Sequence, residues 1–178
     1  MARVAACGIS TGTMKVEDNA IFQGDVIRIR GVENPTEEQM RCVAEAALES
    51  SYFVFFDEPL QQRFWKLYFD VQAETGLSAA RQWLADRNLL DKLPPYAADG
   101  DLSDYGRRLE AFCGLEPGAY LEASPYGRIL TPKPPADWSV PPPSWPDEAL
   151  TCVTSVTRVS GVDFGLIGNA AYESPGVP

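Results

Sequence analysis

Between Thr131 and Glu148 the chain carries seven prolines, Pro132, Pro134, Pro135, Pro141, Pro142, Pro143 and Pro146, interleaved with Trp138 and Trp145. Proline lacks the backbone N–H and fixes φ, so this density rules out a helix or a central strand and enforces an extended, polyproline II course. Residues 131–148 read as a strap pinned to the body by its tryptophans, or as a linker. The P-x-x-P spacing of Pro132 and Pro135 adds a second reading, in which these prolines with Trp138 and Trp145 dock a partner.

The segments on either side carry ordinary secondary-structure signals. Residues 2–32 read as β structure, with strand-like runs at 20–23 and 26–30 about Gly24-Asp25 and with Arg28 and Arg30 on one face. That arginine face is either solvated or an anion site. Asn34-Pro35-Thr36-Glu37 opens a helix to about Glu49, and residues 50–56 form a short strand or buried connection. A second helix follows Asp57-Glu58-Pro59, with Leu60, Phe64, Leu67, Tyr68 and Val71 as its core stripe and Gly76 as its stop. Trp65 and Phe69 widen its apolar surface, which marks it as central or as a docking surface. Ser78 caps a third helix to about Lys92, and Ser103 a fourth to Cys113.

Beyond them, residues 119–123 and 128–131 flank a Ser-Pro-Tyr-Gly turn and predict a hairpin. The threonine- and valine-rich run 150–159 and residues 162–167 predict a second. The expected fold is α+β in a single domain, residues 1–178, whose N- and C-terminal strands form one antiparallel or mixed sheet on about four central helices. Residues 1–13 are a tether or a first strand, and no internal repeat is visible.

Chemistry is constrained by an absence: among 178 residues there is no histidine. Histidine is the usual general base at neutral pH and the commonest metal ligand, so most hydrolase triads and most zinc or non-haem iron sites cannot be built. Gly8-Ile9-Ser10-Thr11-Gly12 spells the nucleophile elbow of α/β-hydrolases without the histidine that would activate Ser10. Asp163-Phe164-Gly165 matches the kinase magnesium tripeptide by letters alone. No phosphate loop or dinucleotide fingerprint is present, and no cofactor is expected. Asp57, Glu58, Asp99, Asp101 and Asp104 leave open a histidine-free, glycosidase-like enzyme using carboxylates alone.

A metal-like pattern lies at Asp99, Asp101, Ser103, Tyr105, Arg107 and Glu110, which fall at calcium-loop positions 1, 3, 5, 7, 9 and 12. Its hinge fails, because the required glycine is Asp104, so no metal is expected and Asp99, Asp101, Ser103 and Glu110 stand as weak candidates. A net charge of −10 repels nucleic-acid backbones, and no stretch of about 20 apolar residues crosses a bilayer.

Four cysteines, Cys7, Cys42, Cys113 and Cys152, are spread without a C-x-x-C pair, against zinc and thioredoxin-like chemistry. Cys42 falls off the apolar face of its helix, and a disulfide to Cys113 is one explanation; a reduced packed thiol is the other. Val4-Ala5-Ala6-Cys7 resembles the bacterial lipoprotein processing box, with a tether-like polar run after it. The resemblance implies lipidation of Cys7. A signal peptide's apolar region of about 7–15 residues does not fit in the six residues ahead of Cys7, so either the true start lies upstream or residues 3–7 are a short strand.

By elimination the expected role is a non-enzymatic interaction protein of the bacterial envelope or secreted, with a protein or small ligand as partner. The alternatives are a cytoplasmic acidic inhibitor or immunity-type protein for a basic partner, with reduced cysteines, and the carboxylate enzyme.

Overall fold

The computed structural model describes residues 1–20, 24–50, 53–125, 127–133 and 145–165. Among them the chain is α+β, with five helices and two mixed sheets of three strands. It divides into two compact units, residues 1–75 and 76–178.

In the first unit α1 (Ala2–Ala6) leads into β1 (Met14–Asn19), which pairs antiparallel with β2 (Gly24–Ile29). The register joins Asn19 to Gly24, so Gly24-Asp25 begins a strand instead of forming the turn expected from sequence. Helix α2 (Glu37–Ser50) crosses over to β3 (Phe53–Phe56), parallel to β2, giving sheet order β1-β2-β3. Alternation buries Ile27, Ile29, Val54 and Phe56 on one sheet face, against Met40, Val43, Ala44 and Ala47 of α2 and Phe64, Leu67 and Val71 of α3 (Leu60–Asp86). The start of α2 is a reciprocal box: the Thr36 hydroxyl accepts from Gln39 N–H (3.1 Å), and Gln39 Oε1 accepts from Thr36 N–H (3.0 Å). Thr36, two residues after the expected Asn34, is therefore the cap.

In the second unit the last part of α3 precedes α4 (Leu102–Phe112), β4 (Leu121–Ala123), β5 (Ile129–Pro132), α5 (Asp147–Ser160) and β6 (Asp163–Phe164). The β4–β5 hairpin is the one expected, and β6 lies parallel to β5. The core joins Leu84, Leu102, Tyr105, Leu109, Leu121, Leu130, Val153 and Val156.

Both units follow one plan: helix, antiparallel hairpin, crossover helix, parallel third strand. The registers superpose. Val26 faces Phe53 as Ile129 faces Asp163, and Met14 faces Ile29 as Leu121 faces Pro132. Cys7 ends α1 and Cys113 ends α4, each followed by a left-handed glycine (Gly8, φ 80°; Gly114, φ 74°) and a buried aliphatic, Ile9 or Leu115. The repeat that sequence reading does not detect is thus present in three dimensions.

Several expectations give way. The strands lie in two sheets, not one. Residues 3–6 are helical. Gly76 does not stop a helix: α3 runs through it, and a Cβ there would sit 2.5 Å from Arg158 Nη1, so the glycine marks a close approach. The run 150–159, expected as a strand, is helix α5. Ala149, Cys152, Val153 and Val156 share its inner face, and the hydroxyls of Thr151, Thr154 and Thr157 donate to the carbonyls of Asp147, Leu150 and Val153 four residues back. Gly161 closes it at φ 67°. Local β propensity loses to a helical apolar period. The proline-rich segment, expected to avoid helix and central strand, departs from that at both ends: Thr131 and Pro132 finish β5, the middle strand of its sheet, and Asp147 and Glu148 begin α5; Pro134 to Ser144, and with them Trp138 and Pro135, lie outside the described residues.

Candidate functional site

The chemistry-bearing residues are best followed from the cysteines outward. Cys42 is bonded to Cys7 (Cα–Cα 5.5 Å) and Cys113 to Cys152 (Cα–Cα 5.7 Å). Each bond ties the end of a unit's first helix to its crossover helix. The Cys42–Cys113 pairing considered from sequence is therefore replaced, because each of those sulfurs is held by a neighbour within its own unit. The Cys7 sulfur, which the lipoprotein resemblance would lipidate, is paired with Cys42 in this structure. The off-core direction of Cys42 has its explanation in α1.

The calcium-like pattern dissolves into structural contacts. Asp101 caps α4 through Ser103 N–H (2.8 Å), replacing Ser103 as the expected cap. Arg128 Nη2 donates to the carbonyls of Ala97 and Gly100 (3.3 and 3.2 Å), which braces the segment leading into α4. Glu110 is fully buried, and its carboxylate accepts from the backbone N–H groups of Gly118, Tyr120 (2.7 Å) and Leu121 (2.6 Å). It organises the chain entering β4. Among the described residues no group of three or more Cys, Asp or Glu is placed to hold a metal ion.

Two of the other candidate acids, Asp57 and Asp104, are also held by neighbours. Asp57 accepts from Gly31 N–H (3.2 Å), and Asp104 pairs with Arg107 and Arg108 (3.2 Å each). An open groove at the end of α5, about 320 Å³, is lined by Thr154, Thr157, Arg158 and Asp163 among others, with Asp163 its single acid among the described residues. Ser10, of the elbow-like pentapeptide, accepts from Gly12 N–H and caps a short 3-10 turn. Pro132 pairs with Leu121 inside the second sheet, and the Trp145 ring packs against Tyr120 (5.3 Å) and Phe164 (6.5 Å). The two described members of the proline–tryptophan set thus belong to the second unit's own packing.

What the first unit presents is a surface. On the sheet face away from the core, Glu17 of β1 is gripped by Arg28 Nε (3.0 Å) and Lys15 (3.2 Å), with Arg30 at 3.9 Å. The Arg28 hydrogen bond, then that of Lys15, holds the Glu17 carboxyl below its ordinary range. The guanidinium of Arg28 lies 5.6 Å from the Phe55 ring centre, and Phe55 meets Trp65 edge-on at 5.7 Å. Trp65 stacks on Phe69 at 5.7 Å and 25°, and Tyr68 closes against both. One ladder therefore runs from a cation cluster to an aromatic ledge. Phe69 is 58% exposed and Phe53 39%.

Sequence reading saw the ends of this ladder separately, as an arginine face and as a helix too apolar around its circumference. It missed Phe55 and Glu17, which join them, because that link depends on β2–β3 register. No family model matches the chain, and no match emerges among curated proteins or solved structures.

Proposed function

We propose that this protein is a non-catalytic binding protein working outside the cytoplasm, secreted or in the cell envelope, that engages its partner through the Arg28–Phe55–Trp65–Phe69 ladder. The carrying observation is that ladder: a guanidinium and stacked rings in one surface, ending on a Phe69 side chain that the unit's core does not use. The compartment is supported by the two cysteine pairs at bonding geometry, since disulfides persist where the environment is oxidising. Among the described residues no helix is long and apolar enough to cross a membrane. The buried acid Glu110 supports the non-catalytic side of the reading, because its oxygens are engaged by backbone N–H groups.

The test is alkylation in intact native cells followed by fractionation. A chain recovered outside the cytoplasm with no alkylatable thiol supports the reading. Four alkylated thiols in the cytoplasmic fraction overturn it in favour of the inhibitor-type alternative.

A further inference from the structure

The two units hold their strands in one register, so each serves as a control for what the fold demands of the other. Toward the core the demand is shared: Ile27 and Leu130 are both buried at the middle of the sheet. On the outer face the two part. Lys15, Arg28, Phe53 and Phe55 of the first unit stand where the second has Glu122, Thr131, Asp163 and Gly165. Since the same sheet is built with two acids, a threonine and a glycine at those places, its architecture does not require the cations and rings.

The third strand shows the same divergence. In the second unit it is two residues long and begins with an aspartate, the usual protection of a sheet edge. In the first it is the four-residue Phe53-Val54-Phe55-Phe56, at the end of the sheet order. Three cations around one carboxylate also leave this face with surplus positive charge in a chain of net charge −10.

Resting on the binding reading above, we infer that the outer face of the first unit takes an extended polypeptide segment that carries carboxylates beside apolar side chains. The carboxylates meet Arg28, Lys15 and Arg30; the apolar side chains meet Phe55, Trp65 and Phe69. A guanidinium presents paired in-plane donors that match a carboxylate, and an exposed ring stack offers rigid apolar area. A polypeptide is favoured over an anionic bilayer because the charge of the whole chain is repelled by such a surface.

The experiment selects a displayed library of random dodecapeptides on the purified, oxidised full chain, then titrates the enriched peptides against variants. Enriched sequences should combine Asp or Glu with aliphatic or aromatic residues. Their affinity should fall at least tenfold in both Arg28→Glu and Phe69→Ser, stay unchanged in Glu122→Ala, and weaken with salt. Two separate variants, each checked for wild-type circular dichroism and no free thiol, keep a folding defect from imitating the result. The inference is overturned by absence of acidic–apolar enrichment, by wild-type affinity in either variant, or by phosphatidylglycerol vesicles retaining the protein with the same variant dependence. Because the selection uses purified protein, a cytoplasmic location would sink the compartment assignment alone, and a failed selection on an extracytoplasmic protein would sink this inference alone.

Discussion

Cys42 and Cys152 occupy the same place in two helices of equal length: each is the sixth residue of a 14-residue crossover helix, bonded to the cysteine that ends its unit's first helix. The two sequence separations, 35 and 39 residues, are also close. Two staples of one design make each unit's stability depend on its own bond.

The double variants Cys7→Ser/Cys42→Ser and Cys113→Ser/Cys152→Ser should each lose about 4 kcal/mol, the loop-closure cost for cross-links of this span. Denaturant unfolding with tryptophan fluorescence measures it. A loss near zero in either would mean that the bond does not hold its unit.

How much of this was legible beforehand depends on where the information lies. Helix α2, the β4–β5 hairpin and the α+β class follow from caps, turn residues and apolar period within short windows. Helix α5 does not, since its threonines and valines favour strands locally and only the packing of Val153 and Val156 decides for a helix. The shared plan is hidden because few positions keep their identity: Cys-Gly-aliphatic after the first helix, and acid-Glu-x-x-x-Cys-Val in the crossover helix. Between the hairpin and that helix one unit has a short connection and the other the proline run, and elsewhere the core tolerates exchanges such as Ala47 for Thr157. The ladder needed β2–β3 register, which no local pattern carries.

Glu110 supplies a second prediction. Glu110→Ala would leave the buried N–H groups of Tyr120 and Leu121 without an acceptor, along with that of Gly118. The expected loss is about 3 kcal/mol, read by the same unfolding assay. A loss below about 0.5 kcal/mol, the range of ordinary surface changes, would contradict the structural role.

Gly76 tests the continuity of α3. A glycine inside a helix costs up to about 1 kcal/mol relative to alanine. The nearest atoms belong to the far end of the flexible Arg158 side chain, which can move. Gly76→Ala should therefore be neutral or stabilising. If Gly76 instead ended a helix in a left-handed conformation, alanine would destabilise, and a lowered melting temperature would show it.

Tyr105 sets an alkaline limit. Burial raises its phenol above the ordinary 10.0, opposed by its hydrogen bond to Ser160 Oγ at 3.0 Å. A raised folded-state value means that this contribution is complete below the unfolded value near 10 and is lost as pH climbs from there through the folded value. Denaturation midpoints should hold to about pH 10 and then fall, and Tyr105→Phe should flatten that fall.

The outer face predicts the reverse of a core substitution. Phe69, 58% exposed, can become serine with a stability change within about 0.5 kcal/mol. A much larger loss, measured by thermal unfolding, would place its ring in the fold instead of on the binding surface.

The most direct measurement is non-reducing peptide mapping of natively expressed protein by mass spectrometry. Two cross-linked species, Cys7 with Cys42 and Cys113 with Cys152, are predicted, with no acyl mass on Cys7. A Cys42–Cys113 species, an acylated Cys7 or four free thiols would contradict the account of two stapled units outside the cytoplasm.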